Sequence, residues 1–216
     1  MLIFFDFDGT LTNMNDRWWH VHVDAMQKFG CVPILKKKYL SQKRNGIPEV
    51  DIVDSQMKNK IVIKKYTDYR GACLEKRKYL VHDFLIPYGR NILEAWKQQG
   101  ELVLLTKRSS KKNVLSQLKS YGIKKYFSRI LVTEGREKQV VLQEIYSKKE
   151  INGAWLITDS VEECVIGKKL CMKVLAIGYG TRSPSYFQKK GISDIIRTPK
   201  QLLNPAQYVS KTRKNS

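Results

Sequence analysis

The N-terminal stretch MLIFFDFDGTLT constrains the fold of this chain more than any other. Apolar residues on both sides of Asp6 predict a short strand buried on both faces, as strands of parallel sheets are. Because strand side chains alternate, Asp6 and Asp8 point to the same side, and Gly9 lets the backbone turn away. Two carboxylates placed in this way repel each other unless a cation or a shared proton compensates. The stretch therefore predicts a magnesium-supported acid pair, with an ordinary Asp-Gly turn as the alternative.

Composition limits the class of protein. The chain has 216 residues, 42% of them hydrophobic, which suffices for one core and a small accessory domain. No apolar run approaches the roughly 20 residues of a membrane span, and the first strand lacks the charged leader of a secretory peptide, so we expect a cytoplasmic protein without membrane contact. The cysteines and histidines show no metal-binding spacing, and we expect buried thiols rather than disulfides. These residues are Cys31, Cys73, Cys164, Cys171, His20, His22 and His82.

The net charge of +20 raises the possibility of a polyanionic partner such as nucleic acid. The charge is spread along the chain, because residues 13–86 carry fifteen Lys and Arg against eight Asp and Glu, a net of +7 on about a third of the length. Lysines also outnumber arginines, although specific phosphate or base recognition favours arginine. We interpret the charge mainly as a solvated surface, with a frayed basic tail that contains Lys211, Arg213 and Lys214.

Residues 13–86 form a separate section that the apolar spacing predicts to be helical. The first helix covers 17–29, with Asn15 or Asp16 as its N-cap, and a second covers 35–43. One or two further helices are predicted within 50–84. Three polar residues of this section follow the acid pair closely enough to face a substrate: Asn13, Arg17 and His20.

From residue 87 onward, short apolar strands alternate with helices, which specifies a parallel sheet covered on both faces. The predicted strands are 102–105, 130–132, 155–157, 174–177 and 194–196, and the predicted helices are 92–99, 110–121 (capped by Ser109 or Ser110) and 137–149. We therefore predict an α/β fold with a Rossmann-like parallel sheet. Its core would comprise residues 1–12 and 87–216, with 13–86 as an inserted α-helical domain.

Polar residues stand at the ends of three of these strands: Asp6, Thr106 and Asp159. Ligands of parallel α/β sheets bind at the carboxyl ends of the strands, so the fold is expected to gather these residues into one site. Carboxylates supply oxygen ligands for Mg²⁺, while a hydroxyl, an ammonium group and a helix start bind phosphate oxygens. The chemistry expected at this edge is therefore that of a magnesium-supported phosphate site.

This combination resembles the haloacid dehalogenase superfamily of phosphohydrolases over nearly the whole chain. The first motif, Asp-x-Asp-Gly-Thr, stands at residues 6–10. The later motifs follow in order as Thr106 at a strand end, Lys138 near a helix start (with Arg136 as a rival), and the acid pair Asp159 and Glu163. Residues 178–180 and 191–194 also look like the phosphoglycolate-phosphatase branch.

The resemblance implies a two-step phosphoryl transfer with Mg²⁺ as cofactor. Asp6 would be the nucleophile and Asp8 the general acid and base, and the presence of an acid at position 8 favours a phosphatase over a dehalogenase. The implied metal ligands are Asp6, the backbone carbonyl of Asp8, and Asp159 supported by Glu163. Phosphoryl oxygens would bind Thr106 and Lys138, with Gly9, Thr10 and Lys107 as further substrate-binding residues. Section 13–86 would be the helical cap of this family.

The chain departs from the usual motifs at three positions. Thr158 replaces a common Gly, Lys107 replaces a common Asn, and Glu163 replaces Asp. Lys107 and Arg108 could add positive charge near the phosphate or near the remote end of the substrate, or they could simply open a loop. A small phosphorylated substrate is expected. The alternatives are a phosphomutase that uses the same intermediate, and a nucleic-acid-binding protein on a retired hydrolase scaffold.

Overall fold

The computed structural model describes the backbone of residues 1–213 and the side chains of residues 1–210. The predicted basic tail, with Lys211, Arg213 and Lys214, therefore lies outside the described side chains. The strands are β1 (Leu2–Phe5), β2 (Thr12–Asn13), β3 (Phe84–Leu85), β4 (Glu101–Thr106), β5 (Arg129–Val132), β6 (Trp155–Thr158), β7 (Lys173–Ile177) and β8 (Ile195–Ile196). Six of them form one sheet in the order β5-β4-β1-β6-β7-β8, with every pairing parallel. The predicted Rossmann-like α/β fold is confirmed.

The alternation of side chains along β1 and β4 separates two buried clusters on opposite faces of the sheet. Ile3 and Phe5 of β1 pack into one cluster, which includes Trp96 and is extended by the partly buried Tyr208. Phe4, between them, packs into the other cluster, which includes Leu142. Helices therefore cover both faces, as parallel sheets require. They are α6 (Gly89–Lys97), α7 (Lys111–Ser120), α8 (Lys138–Ile145), α9 (Lys148–Ile151), α10 (Val161–Lys169), α11 (Pro184–Lys189) and α12 (Ala206–Arg213).

The segment between β2 and β3 holds five helices with a buried cluster of their own, drawn from residues 14–66. These helices are α1 (Asn15–Lys28), α2 (Lys36–Arg44), α3 (Glu49–Met57), α4 (Lys60–Cys73) and α5 (Arg77–Leu80). The antiparallel pair β2 and β3 joins the segment to the sheet through Thr12 opposite Leu85 and Asn13 opposite Phe84. No helix in residues 1–213 is long and apolar enough to cross a membrane.

Several predicted boundaries were wrong for local reasons. The N-cap of α1 is Met14, not Asn15 or Asp16, and Asn13 Oδ1 accepts a hydrogen bond from the Asn15 N–H (2.9 Å). Residues 50–84 contain the C-terminal part of α3 and all of α4 and α5, more than the one or two helices predicted. Ser110 caps α7, as one of the two predicted choices.

The predicted helix 137–149 is divided into α8 and α9. Tyr146 has extended backbone angles, and Ser147 starts α9 through a reciprocal capping box with Glu150. A serine that caps a new helix offers the backbone an alternative to helix continuation, which explains the break. The prediction of buried thiols was also wrong for Cys171, which is exposed, whereas Cys73 and Cys164 are buried.

Candidate active site

Asp6 lies directly after β1, and its N–H continues the sheet ladder by bonding the Ile157 carbonyl (2.9 Å). Its Oδ1 accepts a hydrogen bond from Lys138 Nζ (2.6 Å), and both residues are buried. Burial raises the pKa of Asp6 well above its usual value, against the opposing charge of Lys138. Arg136, the rival of Lys138 in the sequence, is instead exposed and pairs with Glu144. The structure thus brings Asp6 and Lys138 together across 132 residues of sequence.

Glu163, in the first turn of α10, also holds Lys138. Both of its carboxylate oxygens lie 2.8 Å from Lys138 Nζ, and Glu163 Oε2 accepts a hydrogen bond from Thr158 Oγ1 (2.6 Å). Burial alone would lower the pKa of Lys138, but the charges of Asp6 and Glu163 outweigh it and raise the pKa. Thr158, which stands where a glycine is common, therefore acts as a hydrogen-bond donor to Glu163. The predicted contact of Glu163 with a metal stays a prediction.

Asp159 follows β6 and is 4% exposed. Its Oδ2 accepts hydrogen bonds from the backbone N–H (2.8 Å) and the hydroxyl of Thr181. Burial raises the pKa of Asp159 above its usual value, although these hydrogen bonds oppose the shift. Gly9, at φ +75°, makes room for the carboxylate, because a Cβ at this position would lie 1.9 Å from Asp159 Oδ2. A Cβ on Gly180 would similarly lie 2.1 Å from the Gly9 carbonyl oxygen.

The buried charges at this end of the sheet are unbalanced. Three carboxyl groups, those of Asp6, Asp159 and Glu163, lie close together here, and Lys138 is the cation that contacts two of them. An excess of negative charge in a buried place is the environment that a divalent cation stabilises. No three His, Cys, Asp or Glu side chains in the described part of the chain form a metal-binding set. Two carboxylates with a main-chain carbonyl still fit Mg²⁺, which keeps several waters and needs few protein ligands.

Asp8 is held by two arginines rather than by Lys138. Its Oδ1 accepts hydrogen bonds from Arg17 Nη2 (2.7 Å) and Arg108 Nη2 (2.6 Å), and its Oδ2 accepts one from Arg108 Nε (2.7 Å). Burial would raise the pKa of Asp8, but the guanidinium groups of Arg108 and Arg17 outweigh burial and hold the pKa below its usual range. Of the three polar residues predicted to face a substrate, Arg17 is the one that reaches the acid pair.

Asp83 completes this cluster from the segment that precedes β3. Its carboxylate pairs with Arg17 Nε (3.1 Å) and Arg108 Nη2 (3.1 Å), and its side chain is fully buried. Gln117 of α7 accepts a hydrogen bond from Arg108 Nη1 and donates one to Asp83 Oδ2 (3.1 Å). Sequence reasoning missed Asp83, because it lies 75 residues from Asp8 in a segment without a recognisable motif.

A cavity of about 300 Å³ lies over these groups. The sheet edge and the loops after its strands contribute Asp6, Asp8, Thr106 and Asp159, and the first turns of α8 and α10 contribute Lys138 and Glu163. The helical segment contributes Met14, Arg17, Trp18, Leu74 and Glu75. Thr106 is 1% exposed at the end of β4. Lys107 is half exposed, lines the same cavity and pairs with Glu137. The predicted strand-end residues therefore face one cavity.

Gly9 and Thr10 are not among the described residues that line this cavity. Thr10 is fully buried, its carbonyl accepts a hydrogen bond from Tyr179 OH (3.0 Å), and its Oγ1 has no hydrogen-bond partner among the described residues. Their predicted contact with substrate stays a prediction. His20 stacks on His82 with ring centroids 3.9 Å apart and does not line the cavity.

Arg44, at the end of α2, joins the helical segment to the loop after β7. Its guanidinium donates hydrogen bonds to the carbonyls of Gly178 (2.9 Å), Tyr179 (3.0 Å) and Gly180. The same loop continues to Thr181, which holds Asp159. Sequence reasoning missed this contact too, because arginine binding to main-chain carbonyls leaves no sequence pattern.

Comparison with known proteins agrees with this geometry. Residues 3–177 match the model of the haloacid dehalogenase-like hydrolase family. A search of curated proteins found no match. Among solved structures, a hydrolase of this family from Streptococcus pneumoniae has a TM-score of 0.74 at 18% identity, and the match covers 94% of this chain and 96% of that protein.

Two further solved structures are similar over nearly their whole length. A predicted phosphoglycolate phosphatase from Haemophilus somnus gives a TM-score of 0.72 at 18% identity, covering 97% of each chain. A predicted phosphatase from Clostridium acetobutylicum gives 0.71 at 16% identity, covering 96% of this chain and 98% of its own. At such identities these structures show a shared fold. Because the family model spans most of the sequence, the chain belongs to the haloacid dehalogenase-like hydrolase family.

Proposed function

We propose that this chain is a Mg²⁺-dependent phosphatase that hydrolyses a small phosphomonoester through an aspartyl-phosphate on Asp6. The observation that carries the proposal is the convergence of Asp6, Lys138 and Asp159 on one cavity at the carboxyl ends of parallel strands. A buried carboxylate beside an ammonium group and a second carboxylate is suited to nucleophilic attack on a phosphate. The phosphatases among the similar structures support the same reaction class.

In the first step, a carboxylate oxygen of Asp6 attacks the phosphorus atom. The new P–O bond forms as the bond to the ester oxygen breaks. Asp8 leaves the two arginines that hold its pKa low in this structure, takes up a proton, and gives that proton to the leaving alkoxide. Lys138 and Thr106, which line the same cavity, donate hydrogen bonds to the phosphoryl oxygens on which negative charge accumulates. This step releases the alcohol and leaves the phosphoryl group on Asp6.

In the second step, a water molecule attacks the phosphorus atom of the aspartyl-phosphate. Asp8 accepts a proton from this water, the bond between phosphorus and the Asp6 oxygen breaks, and inorganic phosphate leaves. Asp6 returns as a carboxylate and Asp8 as an acid. Lys138 can pair with Asp6 again, as it does in this structure (2.6 Å).

Magnesium would be held by Asp6, Asp159 and the backbone carbonyl of Asp8, and when bound it would supply positive charge to the phosphoryl oxygens. The two glycines beside Asp159 support this assignment, because the close approach at Gly9 fixes the carboxylate against the turn that follows Asp8. Thr181 fixes the same carboxylate through two hydrogen bonds to one oxygen, Oδ2. Glu163 would act mainly by holding Lys138 in place.

We further propose that residues 13–86 act as a cap domain over a core of residues 1–12 and 87–216. The cap contributes Trp18 and Leu74 to the cavity wall and would exclude bulk water during the reaction. A cavity of about 300 Å³ is at the small end of ligand sites, which favours a small phosphorylated substrate over a nucleic acid.

The decisive experiment is hydrolysis of p-nitrophenyl phosphate with Mg²⁺ and with EDTA. We expect activity with Mg²⁺ alone, and a loss of about a thousandfold or more in Asp6→Asn, because the amide is not a nucleophile. Asp68→Asn is the matched control, since Asp68 is exposed and pairs with Lys64. Activity of Asp6→Asn equal to wild type would refute the assignment. Equal amounts of inorganic phosphate and alcohol released indicate hydrolysis, whereas less phosphate than alcohol indicates transfer of the phosphoryl group to another hydroxyl.

A further inference from the structure

Two buried arginines line the cavity without contacting Asp6. Arg17 from α1 is 2% exposed and Arg108, after β4, is 4% exposed. Their guanidinium groups converge on the Asp8 carboxylate through three hydrogen bonds of 2.6–2.7 Å, and Arg108 binds it with the two-pronged geometry that guanidinium adopts with carboxylates and phosphates. The pair is therefore arranged to hold an oxyanion at the cavity wall.

The two carboxylates that balance these arginines are placed differently. The Asp83 side chain is fully buried behind the arginines, and Gln117 also donates to it. The Asp8 side chain is 23% exposed and lines the cavity. An anion that enters the cavity can replace Asp8 at the guanidinium groups, whereas Asp83 remains in place as their permanent counter-ion.

The charge balance around the two arginines determines which kind of group can take the place of Asp8. Two guanidinium groups and the permanent carboxylate of Asp83 leave one positive charge, which Asp8 balances in this structure. If Asp8 turned toward the ester oxygen while a neutral group occupied the cavity, this charge would remain buried without a partner, which is costly. A negatively charged group on the substrate would remove that cost.

Building on the phosphatase function proposed above, we propose that Arg17 and Arg108 form a second anion-binding subsite. It holds a carboxylate or a second phosphate on the part of the substrate that does not react. This anion takes the N–H donors of the two arginines and frees the Asp8 carboxylate to contact the ester oxygen. Because Oδ1 of Asp8 accepts two arginine hydrogen bonds in this structure, such an exchange is what gives this oxygen access to the reacting atoms.

The rest of the wall limits the size of this substrate. Met14, Trp18 and Leu74 are the apolar side chains that line the cavity, whose volume is about 300 Å³. A short carbon skeleton that separates the ester oxygen from the second anion by a few bonds matches this space. The two anions would then contact Lys138 and the arginine pair at the same time.

The first test uses the wild-type protein with Mg²⁺ and matched substrates. 2-Phosphoglycolate is compared with ethyl phosphate, and 3-phosphoglycerate with glycerol 3-phosphate, so that each pair differs in a carboxylate. Propane-1,3-diol bisphosphate supplies a second phosphate instead. We expect kcat/KM to be about tenfold to a hundredfold higher for at least one anionic substrate than for its neutral counterpart. Hydrogen bonds to a charged group stabilise a complex by an amount that corresponds to such a factor. The preferred anion identifies whether carboxylate or phosphate is recognised.

The second test uses variants. In Arg108→Gln and Arg17→Gln the ratio of kcat/KM between anionic and neutral substrates should fall to about threefold or less, because the donors or the charge are lost. Arg136→Gln is the matched control, since Arg136 is exposed, pairs with Glu144 and is not among the described residues lining the cavity. It should keep the wild-type ratio. Circular dichroism establishes that each variant is folded.

A binding measurement keeps the inference testable without turnover. With Mg²⁺, 3-phosphonopropionate should raise the melting temperature of the wild-type protein more than propylphosphonate does, and Arg108→Gln should remove the difference. Equal kcat/KM for anionic and neutral substrates, in a protein that hydrolyses p-nitrophenyl phosphate, would overturn the subsite but leave the phosphatase function. Absence of any hydrolysis would refute the phosphatase function, and equal stabilisation by the two phosphonates would then refute the subsite as well.

Discussion

His22 of α1 makes the stability of the helical segment depend on pH. The residue is fully buried, its Nε2 accepts the Ile34 N–H (3.2 Å), and its Nδ1 lies 2.7 Å from Tyr66 OH. The acceptor role of Nε2 assigns the proton of the neutral ring to Nδ1, which donates to Tyr66. A second proton, bound to Nε2, would point at the Ile34 N–H, so that two donors would face each other without an acceptor. Burial lowers the pKa of His22 from 6.5 to about 4.

The sign of the effect follows from proton binding. Between pH 6.5 and pH 4 the unfolded chain binds a proton at His22 and the folded protein does not, so the free energy of unfolding falls as the pH is lowered. A difference of about 2.5 pH units corresponds to about 3 kcal/mol when complete. At pH 4.5, where the loss is not yet complete, His22 should account for about 2.5 kcal/mol.

Urea unfolding followed by tryptophan fluorescence measures this contribution. We compare wild type with His22→Asn, which keeps a donor and an acceptor but does not titrate, at pH 7.5 and pH 4.5 in EDTA. The wild type should lose about 2.5 kcal/mol more between the two pH values than the variant does. His82→Asn, which changes a histidine outside this buried cluster, should behave as wild type. Equal losses in wild type and His22→Asn would refute the reasoning.

Three further changes, the first with a matched control, test how the site is held together. Gly180→Ala should lower stability by about 1–3 kcal/mol in thermal unfolding, because its Cβ has no room, whereas Gly71→Ala on α4, with nothing within 4 Å, should raise it by about 0.5–1 kcal/mol. Arg44→Met removes three hydrogen bonds to main-chain carbonyls and should increase hydrogen exchange in the loop after β7, while leaving exchange in β1 unchanged. Lys138→Met should lower kcat for p-nitrophenyl phosphate by about a hundredfold or more with Mg²⁺ present, because the cation beside Asp6 is lost.

The sheet and the residues at its edge were predictable from the sequence because each depends on a local pattern. A buried strand is a short apolar run, and Asp6, Thr106 and Asp159 each stand where such a run ends. The rule that carboxyl ends of parallel strands share one edge then brings distant residues together. Lys138 was predicted from the resemblance to the family motif of a lysine near a helix start, and Lys138, not its rival Arg136, contacts Asp6 in the structure.

Contacts that depend on packing between distant segments could not be predicted in this way. Asp83 reaches Arg108 only because α5 and the following turn pack beside α7, and Arg44 reaches the loop after β7 only because α2 lies against it. Neither residue lies in a pattern that identifies its partner. The division between α8 and α9 was missed because a single serine is tolerated inside a helix, so the cap that Ser147 forms with Glu150 did not stand out from the helical pattern around it.

Residues held by the sheet and residues that reach the site through packing between segments also have different roles in the site. Asp6, Thr106 and Asp159 are fixed by the backbone of one sheet, so their spacing does not depend on where the helical segment lies. Arg17 reaches the cavity from α1, which is joined to the sheet by β2 and by side-chain contacts. Changes in the helical segment should therefore alter which substrates are accepted and leave the proposed reaction at phosphorus intact. A family with this architecture can change its substrates by changing contacts between segments while the sheet edge stays the same.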